Sequence, residues 1–212
     1  EEDAANRLFR DLKLKNFRGR EGQIDEMKKA ALSPEIGGAY VFQAASGWGK
    51  SALMSRLYEE LCSDCSNKIV LFHSVGVTER SISVSSMLQR FSYEISGVLE
   101  RPYDELDVMP GSTADDIYRS YFDCVDAASE SGYRVIVLID GFENLTPSEN
   151  YGPFYFMNNS ARYILTGPDG DLDIPEGMSI LQKRIDGLSY EEATEILTDI
   201  LDKAGGKTID CL

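Results

Sequence analysis

A run of small residues that ends in a lysine and a serine has the types and spacing of a loop that binds phosphate. It reads Ala44-Ala45-Ser46-Gly47-Trp48-Gly49-Lys50-Ser51. Glycines let successive backbone N–H groups converge on an anion. We expect Lys50 to lie against the outer phosphates of a nucleotide and Ser51 to offer its hydroxyl to Mg²⁺. The residues predicted to contact the nucleotide at this loop are Ser46, Gly47, Trp48, Gly49, Lys50, Ser51 and Ala52.

Two positions in this loop need separate comment. Ala44 stands where the usual pattern has its first glycine, which narrows the steric tolerance of the loop without removing an N–H donor. Trp48 can offer only its backbone N–H to phosphate, so we expect its side chain to make a packing or partner contact. A glycine-rich turn ahead of a core helix is the alternative interpretation, but it gives no reason for Lys50 and Ser51 at the helix start.

Two carboxylates follow the most continuous apolar, β-branched run of the chain, residues 134–139. Ligands gather at the carboxyl ends of strands in open α/β sheets. We therefore expect Asp140 to hold the Mg²⁺ together with Ser51, and Glu143 to orient or deprotonate a water that attacks the γ-phosphate. Lys50 and Glu143 are the predicted catalytic pair. The alternative is that both acids merely end a strand and face solvent.

Short β-rich runs alternate with amphipathic stretches and must position these residues. The predicted strands are 39–42, 68–73, 134–139, 162–166 and 179–185, and helical periodicity covers 22–32 and 50–63. Ser112 or Thr113 can cap a later helix, and Ser189 with Glu192 forms a capping box. Residues 1–16 are predicted as a short docking helix, and 101–111 as a connector. The pattern predicts an α/β protein with a mostly parallel sheet of about five strands flanked by helices.

The composition narrows the class of partner. The net charge is −15, from 36 acidic against 21 basic residues, whereas a duplex nucleic-acid surface needs clustered cations. No apolar run approaches the roughly 18 residues of a membrane span, and the acidic N-terminus is unlike a signal peptide. Cys62 and Cys65 have redox or half-zinc spacing, but no second Cys/His pair accompanies them, so a helix end is the preferred interpretation. We expect a soluble, cytoplasmic protein with no direct nucleic-acid or membrane contact.

Beyond single motifs, the chain resembles the STAND class of P-loop NTPases, and within it the NACHT-like group. The resemblance runs from about residue 17 to 204, and the order and spacing of its segments are more specific than any one of them. The segments are Phe17-Arg18-Gly19-Arg20-Glu21, Ser46-Gly47-Trp48-Gly49-Lys50-Ser51-Ala52-Leu53-Met54, Leu138-Ile139-Asp140-Gly141-Phe142-Glu143-Asn144-Leu145 and Leu188-Ser189-Tyr190-Glu191-Glu192-Ala193.

This resemblance implies a three-layer P-loop NTPase fold and a switch that binds a nucleotide together with Mg²⁺. ATP or ADP is the expected nucleotide, ahead of GTP. Such a switch is closed with diphosphate and opens or oligomerises with triphosphate. The base and ribose would be contacted by Phe17, Arg18, Gly19 and Arg20, while Asp140 and Glu143 would take the Walker B metal and water roles. From the residues alone, an aromatic followed by arginines could equally be a solvated linker. The implied division is a lead-in over 1–33, a core over 34–188 and the start of a helical lid over 189–212, within a larger protein whose sensor and effector regions contact protein partners.

The chain also departs from the family pattern. Asn144 replaces an acid common after the second carboxylate, and Gly167-Pro168 follows Thr166 where the family often has an arginine that senses the γ-phosphate. Thr166 could still reach the phosphate through its hydroxyl, so a slow ATPase is the expected enzyme. The alternative is a catalytically weak binding module in which the nucleotide is structural and the domain serves protein assembly. A small-molecule phosphotransferase is disfavoured, because no separate acceptor pocket is visible.

Overall fold

Five strands form one sheet in a computed structural model that describes residues 2–15, 17–33, 38–63, 67–101, 112–148 and 151–203. The strands are β1 (Ala39–Gln43), β2 (Lys68–Ser74), β3 (Arg134–Asp140), β4 (Ala161–Gly167) and β5 (Ile180–Arg184). Their order across the sheet is β2-β3-β4-β1-β5, and every pairing is parallel. The prediction of a mostly parallel sheet of about five strands is therefore confirmed.

Strand position in the sheet follows from residue type. All seven residues of β4 are buried, as are six of the seven in β3, because these central strands are covered on both faces and apolar side chains suit both environments. The edge strand β5 has no fully buried residue. The predicted phosphate-binding loop, residues 44–51, is called the phosphate-type loop below. β4 lies between β1, which precedes this loop, and β3, which ends in Asp140. The two halves of the predicted site are thus separated by one strand, whose own end lies between them.

The described residues include six α-helices: α1 (Glu2–Leu14), α2 (Glu21–Ala31), α3 (Lys50–Cys62), α4 (Val84–Val98), α5 (Ala114–Glu130) and α6 (Tyr190–Lys203). On one face of the sheet, α4 and α5 bury an apolar cluster that includes Phe91, Tyr121 and Tyr163. On the other face, α2 and α3 bury a second cluster that includes Met27 and Leu57. The result is the three-layer α/β architecture of a P-loop NTPase.

Helix starts follow their predicted caps. Thr113 and Asp116 form a reciprocal capping box at α5, and the Ser189 N–H donates to Glu192 at 2.7 Å while Ser189 Oγ accepts from the Glu192 N–H at 3.1 Å. Cys65, Cys211 and all but the first residue of the predicted connector lie outside the described residues. Within the described ranges, no helix combines the length and apolar character needed to cross a bilayer.

Candidate functional site

The loop between β1 and α3 has the backbone conformation that a phosphate cradle requires. Gly47 and Gly49 adopt left-handed φ angles of 84° and 83°, which an L side chain rarely tolerates. Gly49 is the N-cap of α3 and has no side-chain cap, so the first N–H groups of the helix are not used by a capping side chain. The positive end of α3 therefore points into the loop at the position where an anion is stabilised.

Lys50 holds its ammonium within this loop. Its Nζ donates to the carbonyl of Ala44 at 2.6 Å and to that of Ala45 at 3.2 Å. Both carbonyls belong to the start of the loop, so the lysine ties the loop's two ends together. The side chain of Ala44 is buried, which shows that the loop accommodates a methyl group where the usual pattern has glycine. Ser51 occupies the first turn of α3, and its carbonyl accepts from the Ser55 hydroxyl at 2.7 Å.

Polar residues form a row across the carboxyl ends of the strands. The register pairs Phe42 of β1 with Thr166 of β4, Thr166 with Asp140 of β3, and Asp140 with Ser74 of β2. Asp140 is 5% exposed, and its carboxylate accepts from the Thr166 hydroxyl at 2.6 Å and from the Ser74 hydroxyl at 3.4 Å. Ser74 was not among the residues predicted for the site, and its only signal in the sequence is its place directly after the predicted strand 68–73.

Thr166 is the central member of this row. Its hydroxyl gives its one proton to Asp140 Oδ1 and accepts from the Gly141 N–H at 3.1 Å. A hydroxyl has a single proton to donate, so a direct donation to phosphate would require the bond to Asp140 to break. The contact between Thr166 and a nucleotide stays a prediction, while the structure places the side chain as a support of Asp140.

Glu143 lies on a short 3₁₀ turn, Phe142–Asn144, directly after β3. Its side chain is exposed, yet the surrounding protein raises the pKa of the carboxyl by partial desolvation, and the nearby Asp140 adds to this rise while Lys50 opposes it. The three charged groups chosen from the sequence therefore lie close enough to influence one another. Their catalytic and metal roles stay predictions.

The position after Thr166 has no room for a side chain. A Cβ built on Gly167 would lie 2.5 Å from the Phe142 ring, which is far inside van der Waals contact. Phe142 itself is buried and packs against Phe154 with ring centroids 5.6 Å apart. The ring of Phe142 thus fills the space that a side chain at position 167 would need. Asn144 turns its amide onto the Gly141 carbonyl at 3.4 Å.

The predicted base-contacting segment divides into two parts. Phe17, Arg18 and Gly19 line a groove of about 430 Å³ beside the second and third turns of α3, where Phe17 packs against the apolar cluster of that face. Arg20 instead lies against the phosphate-type loop, because a Cβ built on Gly49 would be 3.9 Å from its Cζ. The structure therefore separates Arg20 from Phe17 and Arg18, although contact of all four with a nucleotide stays a prediction.

Trp48 makes the packing contact expected from the sequence. Its indole lies 3.8 Å from a Cβ built on Gly187, in the segment that joins β5 to α6, and the residue is 43% exposed. Trp48 is the only tryptophan of the chain. Its fluorescence is therefore a direct probe of the loop.

Across the part of the chain that the structure describes, the other side chains of types that bind metal ions do not form a metal-binding cluster. Among the described residues, no group of three or more His, Cys, Asp or Glu side chains could hold a metal ion. His73 is fully buried in β2, where Nε2 lies 2.7 Å from the Ser81 carbonyl and Nδ1 lies 3.0 Å from Arg90 Nη2. Burial, with a further contribution from Arg90, lowers the pKa of His73 to about 4. The ring is thus neutral at pH 7, donating from Nε2 and accepting at Nδ1.

Comparison with known proteins identifies the fold. No protein-family description matches the chain, and no curated protein does. The ORC2 protein of Aeropyrum pernix, solved as ADPNP-ADP complexes, has a TM-score of 0.54 and 14% identity over 88% of this chain and 53% of its own. Cdc6p of Pyrobaculum aerophilum has a TM-score of 0.56 and 18% identity over 89% of this chain and 51% of its own.

These likenesses define the class of fold and no more, because the sequence identities are low. The chain has the α/β fold of the P-loop NTPases, with the phosphate-type loop after β1 and the acidic residue at the end of β3. It spans about half the length of the two solved proteins.

Proposed function

We propose that this chain is the ATP-binding module of a larger STAND-class, NACHT-like protein and acts as a signalling switch with slow, Mg²⁺-dependent hydrolysis. The observation that carries the proposal is the joint geometry of the loop and the strand ends. In the loop, Gly47 and Gly49 have left-handed backbone, the start of α3 has no side-chain cap, and Lys50 Nζ donates to a loop carbonyl. A buried carboxylate, held by two hydroxyls, stands one strand away.

A buried, unpartnered donor supports the fit of a polyphosphate to these residues. Nη1 of Arg20 is enclosed and has no hydrogen-bond partner among the described residues, and the guanidinium lies beside Gly49. A buried donor without a hydrogen-bond acceptor is costly. A phosphate held by the loop would supply an acceptor at this place. The ORC2 protein, with the same fold, was solved with ADPNP and ADP, which favours a nucleotide over a free anion.

The roles of the residues follow from their positions. Lys50 and the N–H groups of residues 46–52 would hold the phosphates, and Ser51 with Asp140 would hold Mg²⁺, which neutralises charge on the phosphate oxygens when bound. Glu143 would orient the attacking water and accept its proton. Its raised pKa suits a base, because a proton acceptor works best when its pKa approaches the working pH. We expect slow hydrolysis, since Gly167 leaves no side chain to contact the γ-phosphate.

The same observation at Gly167 favours a second candidate, a binding module with negligible turnover. In that case the nucleotide would be structural, and the domain would serve protein assembly. Both candidates share nucleotide binding and differ only in whether Glu143 acts. The proposal includes a lead-in over 1–33, a core over 34–188 and the start of a helical lid over 189–212, with sensor and effector partners and a nucleotide-dependent oligomer in the larger protein.

Calorimetric titration of the purified chain with ATP, ADP and GTP, with and without Mg²⁺, tests the proposal. We expect Mg²⁺-dependent binding of ATP, with weaker binding of GTP. Mass spectrometry of any nucleotide retained through purification would identify the natural ligand. A retained diphosphate would favour the switch. Absence of binding by any of the three nucleotides would contradict the proposal. Single-turnover release of phosphate then separates the two candidates.

A further inference from the structure

Arg20 has an unusual environment for an arginine. It is 6% exposed and takes a left-handed φ of 65° at the N-cap of α2, where its side chain makes no cap hydrogen bond. Left-handed backbone is unfavourable for a residue other than glycine. The Arg20 carbonyl accepts from the Ile24 N–H at 3.0 Å, so the backbone caps α2 while the side chain takes no part in the cap and is buried.

The guanidinium lies between the phosphate-type loop and the start of α6. Relative to a Cβ built on Gly49, its Cζ is 3.9 Å away and its Nη1 4.0 Å away. Burial lowers the pKa of Arg20 below its usual value, and the Glu192 carboxylate opposes that shift. One oxygen of Glu192 accepts from the Ser189 N–H at 2.7 Å, and among the described residues no hydrogen bond joins this carboxylate to Nη1 of Arg20. The guanidinium remains charged at neutral pH.

Within the described part of the chain, Nη1 is thus a buried donor of a charged group without a hydrogen-bond acceptor, and it lies beside Gly49, the residue that precedes Lys50. Leaving such a group unpaired costs more than any neutral donor would. The neighbouring loop is shaped to hold an anion, so the missing acceptor and the bound anion can be the same group. Arginine binds phosphate oxygens well, because its planar fork matches their geometry.

We infer that Arg20 binds a phosphate oxygen of the nucleotide on the Gly49 side of the loop, and not the base. This inference rests on the proposed nucleotide binding and refines it. It differs from the base contact implied by the family resemblance. Arg20 then raises affinity through the polyphosphate chain, independently of whether the base is adenine or guanine.

Two probes separate the phosphate contact from a base contact. Sodium tripolyphosphate carries the phosphates without base or sugar, and ATP carries all three, so both are titrated by calorimetry into wild type and Arg20→Gln in the same Mg²⁺ buffer. We expect Arg20→Gln to weaken both ligands by the same factor, about tenfold to a hundredfold. Arg7→Gln is the matched control: it removes the same charge at an exposed ion pair on α1, and it should change neither affinity.

The outcomes distinguish failure of the inference from failure of the proposed function. If Arg20→Gln weakens ATP but leaves tripolyphosphate unchanged, Arg20 contacts the base or sugar and the inference is wrong. If both affinities are unchanged while Lys50→Ala still abolishes them, the inference alone fails. If the wild type binds neither ligand, the proposed function fails and the inference with it.

Folding of the variants is controlled independently. Arg20→Met keeps the apolar stem and removes a buried charge. The midpoint of thermal unfolding of the ligand-free variant should therefore equal or exceed that of the wild type. Arg20→Lys keeps the charge without the fork and should retain part of the tripolyphosphate affinity. A cooperative unfolding transition in Arg20→Met, together with wild-type tripolyphosphate affinity in that variant, would also overturn the inference.

Discussion

The hydroxyl of Thr166 donates a 2.6 Å hydrogen bond to Oδ1 of Asp140 across the neighbouring strands β4 and β3. The Ser74 hydroxyl approaches the other carboxylate oxygen from β2 at 3.4 Å. Asp140 is thereby fixed from both sides at the carboxyl end of the sheet. A carboxylate fixed in this way can hold a metal ion without first losing rotational freedom.

Removing the Thr166 hydroxyl should weaken metal-dependent binding. Thr166→Val keeps the shape of the side chain but leaves Asp140 Oδ1 without its shorter hydrogen bond. We expect the Mg²⁺ concentration for half-maximal ATP binding to rise about tenfold, the typical effect of one hydrogen bond to a charged group. Thr166→Ser keeps the hydroxyl and should restore the wild-type value. A calorimetric Mg²⁺ titration in which Thr166→Val matches the wild type would contradict this role.

Glu143→Gln should separate hydrolysis from binding. The amide cannot accept a proton from water, so we expect single-turnover hydrolysis to fall at least about a hundredfold, with ATP affinity nearly unchanged. The raised pKa of Glu143 further predicts that the wild-type rate increases with pH through a value above the ordinary carboxyl range, as the base becomes ionised. Undiminished turnover in Glu143→Gln would remove this residue from the mechanism.

His73 should make the fold sensitive to acid. Its pKa is about 4 in the folded state against 6.5 for an ordinary histidine, so the unfolded chain binds more protons between these values. The free energy of unfolding should therefore be constant above pH 6.5 with respect to this residue and should fall by up to about 3 kcal/mol as the pH decreases to 4.

His73→Gln provides the comparison for this acid sensitivity. The variant keeps an amide donor and acceptor but does not titrate, and the carboxylates of both proteins contribute equally. Urea unfolding at a series of pH values should show the free energy of unfolding of the wild type falling relative to that of His73→Gln as the pH decreases from 6.5 to 4. The Glu2 carboxylate, 3.4 Å from Nδ1, opposes the effect. Parallel curves across this pH range would show that the ring is not held neutral by the fold.

Much of the fold could be predicted because the signals are local. Residues 135–139 after Arg134 are all apolar, which predicted a central strand, and they are buried in β3. The capping pair Ser189 and Glu192 similarly fixed the start of α6. The order of the strands was not accessible in this way. Placing β4 between β1 and β3 depends on packing between distant segments.

Candidate residues of the site could be chosen from the sequence, but the hydrogen bonds between them could not. Residue types made Lys50, Asp140 and Glu143 candidates, whereas the donation of the Thr166 proton to Asp140 depends on the register of two strands. The docking face of α1 illustrates the same limit. The apolar residues of the predicted docking helix are Leu8, Phe9, Leu12 and Leu14. Phe9 packs against the apolar cluster of α2 and α3, whereas Leu8 and Leu12 are exposed, at 60% and 63%. The fully buried residue is Asn6, whose Oδ1 accepts from the Ser74 N–H at 2.8 Å.

Thermal unfolding of the wild type and Lys50→Ala, each with and without Mg²⁺-ATP, tests nucleotide binding at the loop most directly. Ligand that binds only the folded state raises the unfolding midpoint, and Trp48 fluorescence follows the loop itself. We expect saturating Mg²⁺-ATP to raise the midpoint of the wild type by several degrees, since about 3 kcal/mol is gained at a hundredfold excess over the dissociation constant. Lys50→Ala should show no such rise. An unchanged wild-type midpoint, or an equal rise in both proteins, would contradict nucleotide binding at this loop.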